Sequence, residues 1–155
     1  MQKITPFLWF DGKAEEAMNF YVSVFKNAKA GNVYRYGGEG SEPKGEVMSV
    51  SFELDGQQFM AINGGPHFTF TPAISLFVRC ESQQEVDELW ENLSAGGEKS
   101  RCGWLKDKYG LSWQIIPSIL EKLLHGSDAE KSKRVMNAMM QMGKIEIDKL
   151  QQAAG

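Results

Sequence analysis

Cysteine is scarce in this chain of 155 residues, which carries only Cys80 and Cys102. Two thiols are too few for the disulfide framework of a small secreted domain or for a four-thiolate zinc cluster. Long apolar runs are missing as well, since no segment approaches the ~18 consecutive apolar residues of a membrane span. Residues 1–6 also lack the apolar core of a secretory signal. These absences favour a soluble protein of the reducing cytoplasm, with no membrane partner.

Positive charge is not in excess either, because 17 lysines and arginines face 20 aspartates and glutamates. A nucleic-acid-binding surface needs a basic stripe that neutralises phosphates. Nucleic acid is therefore not an expected partner. What the chain does have is a hydrophobic content of 42%, which at this length can bury the core of one domain.

The residue pattern predicts one supersecondary unit that occurs twice. Apolar residues over 4–10 predict a strand, which Asp11-Gly12 ends before a helix whose apolar face begins at Ala14. Three strands are then predicted, separated by a glycine-rich stretch and by the Asp55-Gly56 hairpin turn. Their ranges are 28–36, 46–54 and 58–63.

The second half repeats this order. A strand over 74–80 precedes a helix that Ser82 and Glu85 open as a capping box. Strands over 98–101, 102–106 and 111–116 follow, the last two joined by a tight Asp/Gly turn. The prediction is a single α+β domain of paired strand-helix-three-strand modules forming a curved mixed sheet. The modules are residues 1–65 and 66–117, and a helical tail spans 118–155.

The tail is predicted to contain three helices. Ser118 opens the first, Ser127 or Asp128 caps the second, and residues 145–153 form the third. The second helix carries Met136, Met139, Met140 and Met142 at helical spacing, unaccompanied by cysteine or histidine. Such methionines favour packing against the sheet or a partner chain over metal binding.

Alternation along the strands separates core positions from a second face. The even positions 48 to 54 and 74 to 78 are apolar and predicted to be core. Hydroxyl and amide groups remain on the other face, which is typical of a pocket with a few fixing polar groups. The predicted lining is Trp9, Ser49, Ser51, His67, Ser75, Phe77, Trp104 and Gln114.

Several of these residues allow two interpretations. Trp9 and Trp104 could stack a planar ligand or simply fill a core. His67 could reach over the cavity mouth or remain solvated. Arg79 and Lys106 could meet an anionic group or act as edge charges.

Four stretches carry a resemblance to a known family. They are residues 4–17 (ITPFLWFDGKAEEA), 72–78 (PAISLFV), 102–117 (CGWLKDKYGLSWQIIP) and 134–142 (RVMNAMMQM). Together they resemble the vicinal oxygen chelate superfamily of glyoxalases, bleomycin-resistance proteins and extradiol dioxygenases, over essentially the whole chain. Within it the chain is similar to PhnB-like proteins, often described as a 3-demethylubiquinone-9 3-methyltransferase domain.

The resemblance implies a homodimer with shared cavities and a divalent metal held by histidine or glutamate from four strands. The corresponding positions here fall at Pro6 or Phe7, near Ser49, at Ala73 or Ser75, and at Gln114. None is a histidine or a carboxylate, so no metal and no other cofactor is predicted. The glycines are expected in hairpins and loops, and none is expected to open a helix after a buried strand, unlike those of a typical methyltransferase.

Three functions follow as hypotheses. The first is a small-molecule binding protein of the resistance or sequestration type. The second is an enzyme of the same superfamily, a lyase, isomerase, dioxygenase or the methyltransferase of its description, with an atypical site of Ser49, Gln114 and His67. The third is a protein-interaction module that docks through the C-terminal helices.

Overall fold

The structure is a computed structural model that describes residues 2–38, 40 and 43–155. These residues form two compact units, one ending at Phe70 and the other beginning at Thr71. The first module was expected to end at residue 65. In the structure Phe68 and Phe70, which belong to the first compact unit, pack edge-on against Trp9 and Phe10, with ring centroids 5.0 and 5.3 Å apart.

The first unit is a four-stranded sheet with one helix on it. Its sheet order is β1-β4-β3-β2, with β1 parallel to β4 and the other pairs antiparallel. The helix buries Met18 and Tyr21 beside Val50 and Phe52 of the sheet. Met48, predicted to be core, is 36% exposed, because it lies near the start of its strand, away from the centre of the helix contact. The elements are β1 (Phe7–Phe10), α1 (Ala14–Val24), β2 (Ala28–Arg35), β3 (Val47–Leu54) and β4 (Gln57–Asn63).

The second unit repeats the same topology. Its sheet order is β5-β8-β7-β6, again with the first and last strands parallel. This identical order confirms the predicted duplication and the α+β class. Ile74, predicted to be core, is 58% exposed, because β5 begins only at the next residue. The elements are β5 (Ser75–Cys80), α2 (Gln83–Ser94), β6 (Glu98–Lys99), β7 (Trp104–Lys106) and β8 (Ser112–Pro117).

A buried carboxylate organises the turn between β7 and β8. Asp107 is 2% exposed and accepts hydrogen bonds from the backbone N–H groups of Tyr109 and Leu111 at 2.8 and 3.1 Å. Its second oxygen accepts the Trp113 indole N–H at 2.9 Å. All three contacts are donors, the arrangement that satisfies an ionised carboxylate. The turn therefore fixes the two strands on either side of it.

The helical tail packs onto the end of β8. A buried cluster of Ile116, Val135, Ile145 and Leu150 joins the sheet to the three tail helices. The Gln83 side chain also links α2 to the tail, since its amide donates to Ile145 O at 3.0 Å and accepts from Ile147 N at 2.7 Å. The tail elements are α3 (Ser118–Leu124), α4 (Ala129–Met139) and α5 (Ile147–Ala154).

The predicted helix caps are mostly confirmed. Ser82 Oγ accepts from Glu85 N at 3.2 Å, although the Glu85 carboxylate bonds Glu81 N instead of completing the box at Ser82. Asp128 caps α4 by accepting from Lys131 N at 3.1 Å. Ser118 does not cap α3; its hydroxyl donates to Glu81 Oε2 at 3.0 Å.

The methionines of the tail divide between its core and its surface. Met142 is 7% exposed and belongs to the cluster, while Met136 and Met140 are 39% and 53% exposed. No helix in the described part of the chain is both long and apolar enough to span a bilayer.

Candidate functional site

The eight predicted lining residues fall equally on the two units. In the first unit, pairing across β1, β4 and β3 brings Trp9, Ile62 and Ser49 into one row. Phe7, Met60 and Ser51 form the next row on the same face. We call these six side chains the Ser49 face. Val50 and Phe52 alternate with the two serines and point to the helix, so the face is the helix-free side of the sheet.

Two predicted residues of this face have structural partners. The Trp9 indole N–H donates to Gly65 O at 2.9 Å, and its ring lies directly over Gly64. The Ser51 hydroxyl accepts from Asn32 N at 3.0 Å, where β2 shifts register against β3. The Trp9 and Ser51 side chains therefore both form hydrogen bonds that stabilise the backbone of the first unit.

His67 is exposed and lies in the turn after β4. Its placement brings it into neither row of the Ser49 face. A loop position of this kind could not be located from the sequence, because no strand register extends to it.

The second unit brings the other four predicted residues together. Gln114 pairs with Phe77 on one neighbouring strand and with Trp104 on the other. The next row contains Ser75, Ser112 and Lys106. The Gln114 amide donates to Ser75 Oγ at 3.0 Å. We call these six side chains the Gln114 face; it lies opposite the buried Leu105 and Trp113, which face α2.

This face combines neutral polar groups with accessible aromatic rings. Gln114, Ser75 and Trp104 are half-buried, and Phe77 is 41% exposed. At one edge Arg79 lies over the Phe77 ring at 5.0 Å and forms an ion pair with Glu121 at 3.1 Å. The face can therefore stack a ring and hydrogen-bond a polar group.

The strand topology corrects one inferred ligand position. β4 in the first sheet has the place of β8 in the second, because each is parallel to the first strand of its module. The counterparts of Gln114 are therefore Met60 and Ile62 on β4, not Ser49 on β3. The sequence predicted the duplication, but it did not predict the order of strands within each sheet.

The residues present do not fit the divalent metal of the superfamily. Across the described residues, no three histidine, cysteine, aspartate or glutamate side chains lie close enough together to hold a metal ion. The four inferred positions carry neutral side chains, which bind divalent ions weakly without a carboxylate or imidazole.

A cleft of about 580 Å³ lies elsewhere on the first unit, near the start of α1. None of the eight predicted residues lines it. It is acidic: four carboxylates face one cation, Arg35, which pairs with Glu15 at 3.6 Å. In the sequence, the acidic residues 11, 15 and 16 were the only indication of this acidic cleft. Its lining is Asp11, Gly12, Glu15, Glu16, Arg35, Tyr36, Pro43, Glu46, Val47, Asn63, Gly64 and Gly65.

Gly12 in this cleft agrees with the expectation that the glycines lie in turns and loops. It has φ +73° and lies in the bend between β1 and α1, before Lys13, which is the N-cap residue of the helix. The first helical N–H is occupied, since Ala14 N donates to Asn63 Oδ1 at 2.8 Å. Glu15 and Glu16 make the first turn negative, which disfavours an anionic cofactor group there.

The two cysteines have different environments. Cys80 is fully buried in β5, and burial, with Glu85 and Glu81 nearby, raises the pKa of its thiol to about 12. Cys102 is half-buried in a left-handed conformation with φ 58°. Cys80 therefore stays a protonated thiol and is not a nucleophile at neutral pH.

This difference predicts selective labelling. In the native protein at about pH 8, Ellman's reagent should react with Cys102 and leave Cys80 untouched until denaturant is added. The variant Cys102→Ser should then show no reactive thiol in its native state. Rapid reaction of that variant, with the fold intact by circular dichroism, would contradict the buried, protonated assignment of Cys80.

Comparison with known proteins places the chain in a family. The family model described as 3-demethylubiquinone-9 3-methyltransferase matches residues 2–116. The match ends before the tail, so the resemblance over 134–142 lies outside it. No curated protein matches the chain.

Solved structures agree with this placement. A putative 3-demethylubiquinone-9 3-methyltransferase, the PhnB protein from Bacillus cereus, is 43% identical over 76% of this chain and 100% of its own, with a TM-score of 0.70. Protein PA1353 from Pseudomonas aeruginosa, which is 20% identical over 76% of this chain and 98% of its own with a TM-score of 0.63, shares the fold.

A more distant structure shares the fold alone. The fosfomycin resistance protein FosX from Listeria monocytogenes is 17% identical over 79% of this chain and 97% of its own, with a TM-score of 0.55. The chain therefore belongs to the PhnB-like family described as 3-demethylubiquinone-9 3-methyltransferase.

Proposed function

We propose that this protein binds a small aromatic molecule on the Gln114 face and does so without a metal ion. The observation that carries the proposal is the half-buried Gln114–Ser75 hydrogen bond, flanked by Trp104 and Phe77. The pair sets the orientation of a side-chain amide that retains its carbonyl oxygen and one N–H for a ligand. Ordered polar groups among apolar surface are typical of small-molecule sites.

The spacing of the two aromatic residues suits a planar ligand. Trp104 and Phe77 lie on the strands either side of β8, so their backbones are about 9.5 Å apart, twice the strand spacing. Gln114 lies between them as the polar floor of this slot. Stacking against aromatic side chains would hold the ring, and the amide would select its hydrogen-bonding substituent.

From composition and resemblance, we also propose that the protein is a cytoplasmic homodimer. Each chain of the dimer would then present one such slot. Sequestration suits this arrangement better than catalysis. Apart from the Lys106 ammonium group, the polar groups of the face are one neutral amide and two hydroxyls, and none of its six side chains is a histidine or carboxylate that could activate them as a base.

Methyl transfer is the second candidate, because the matching family carries that description and Gly12 supplies one glycine turn. Two features at the start of α1 argue against methyl transfer. The first helical N–H is already hydrogen-bonded, and two carboxylates would repel the carboxylate of the methyl donor. The binding proposal needs neither that turn nor a cofactor.

The proposal is tested with 2-naphthamide, a planar ring with an amide that complements Gln114. Calorimetric titration into protein dialysed against a chelator should give saturable binding of one molecule per chain. Gln114→Leu keeps the size of the side chain but removes its hydrogen bonds, so affinity should fall about tenfold. Trp104→Ala should weaken binding by a similar factor through lost stacking.

A matched control is Gln84→Leu, the same change on the exposed side of α2, where Gln84 bonds Glu88 at 3.0 Å. It should bind 2-naphthamide like the wild type. The binding proposal is wrong if Gln114→Leu also matches the wild type, or if binding appears only after a divalent metal is restored.

A further inference from the structure

Lys106 is the cation of the Gln114 face that no described carboxylate neutralises. It is half-buried at the end of β7 and lies in the row that also contains Ser112 and Ser75. Among the described residues, it makes no ion pair within 4.0 Å. Glu98 is its cross-strand neighbour on β6 and is exposed, yet the two charges do not pair.

The other strand cations of this sheet are neutralised. Lys99 projects to the helix side and pairs with Glu91 at 2.8 and 2.9 Å. Arg79 pairs with Glu121 at 3.1 Å and covers Phe77. The neighbouring carboxylate in sequence, Asp107, is buried and satisfied by three donors. A half-buried lysine without such a partner leaves its ammonium group available to a ligand.

The two rows of the face give a ligand a direction. Trp104, Gln114 and Phe77 form the aromatic row, and Lys106, Ser112 and Ser75 form the polar row beside it. Trp104 and Lys106 are two residues apart on one strand, which separates them by about 6.7 Å along the sheet. A ring over the aromatic row would therefore place a substituent beside the ammonium group and the half-buried Ser75 hydroxyl, whereas Ser112 is 1% exposed.

We propose that the ligand is an aromatic anion, whose ring occupies the slot over Gln114 and whose carboxylate or equivalent anionic group meets Lys106. This inference rests on the proposed function and names the class of its ligand. A charge-assisted hydrogen bond from the ammonium group is stronger than a neutral one, so it would select the anion over a neutral isostere. The hydroxyl of Ser75 would add a neutral donor to the same group.

The test compares 2-naphthoate with 2-naphthamide, two ligands that share a ring and differ by one charge at about pH 7.5. The wild type should bind 2-naphthoate at least about fivefold more tightly. Lys106→Met keeps the apolar stem and removes the charge, so it should weaken 2-naphthoate about tenfold and change 2-naphthamide less than about twofold. Lys99→Met, on the opposite face of the same sheet, is the matched control and should change neither affinity.

Salt supplies a measurement on the unmodified protein, which stands even if Lys106→Met folds poorly. The preference for 2-naphthoate should shrink between about 0.05 M and 0.5 M NaCl, while 2-naphthamide affinity stays constant. If 2-naphthamide does not bind, the proposed function itself is wrong. If 2-naphthamide binds but 2-naphthoate shows no preference, no loss in Lys106→Met or no salt dependence, the proposed function stands and the anion inference is wrong.

Discussion

Replacing Asp107 by asparagine should lower the free energy of unfolding by about 3 kcal/mol. The carboxylate accepts two backbone N–H groups and the Trp113 indole N–H in a site that is 2% exposed. Asparagine has a single acceptor oxygen, so its amide N–H₂ would face at least one buried donor. Urea unfolding followed by circular dichroism measures the change, and the midpoint should fall by about 1–2 M.

Asp128→Asn is the matched control for this change. Asp128 caps α4 from an exposed position, and asparagine caps helices about as well as aspartate. Its unfolding midpoint should stay near that of the wild type. Equal midpoints for both variants would contradict the organising role assigned to the buried carboxylate.

Gly103→Ala should destabilise the protein by a similar amount, about 3 kcal/mol, from the other end of β7. Gly103 has φ +82°, and an added Cβ would lie 2.7 Å from Ile116 Cδ1, 2.9 Å from Ile115 O and 3.2 Å from Ile145 Cγ1. The backbone oxygen cannot yield as a flexible side chain can. The melting temperature should drop by about 6–12 °C in a thermal unfolding experiment.

Gly110→Ala separates the steric clash from the backbone strain. Gly110 has φ +87°, but nothing lies within 4 Å of the position that an added methyl group would take. It should cost only the left-handed strain of about 1–2 kcal/mol. If the two variants melt at the same temperature, the close packing of Gly103 against β8 and the tail is not what stabilises this region.

Asp107→Asn and Gly103→Ala both disturb an end of β7, the strand that carries two residues of the proposed binding face. β7 carries Trp104 and Lys106, and it is fixed by Gly103 at one end and Asp107 at the other. A slot that must keep two aromatic residues and a lysine in register needs such fixed ends. Partial loss of ligand affinity should therefore accompany the loss of stability in both variants.

Much of the fold could be predicted from local sequence patterns. Turn glycines, the Ser82 cap and apolar alternation located every strand and helix to within a few residues, because these signals depend on neighbours in sequence. The failures occur at element ends. Met48 and Ile74 fit the alternation, yet each lies where the strand begins and the covering helix no longer reaches.

The site was predictable only in part. Alternation assigned Ser75 and Gln114 to one face, and their hydrogen bond agrees with that assignment. The order of strands within each sheet could not be predicted from the sequence. The second inferred metal-ligand position was therefore placed at Ser49 on β3, whereas the topology places it on β4. The sequence left two interpretations of Lys106, as a contact for an anionic group or as an edge charge. Whether a carboxylate pairs with it depends on contacts between strands, which local sequence patterns do not encode.

The most direct measurement of the central claim is a crystal structure of chelator-dialysed protein grown with 2-naphthamide. The ring should lie between Trp104 and Phe77, with its amide hydrogen-bonded to Gln114 and no ion in contact with the ligand. Density for the ligand in the acidic cleft beside Gly12, or on a metal ion, would contradict the account.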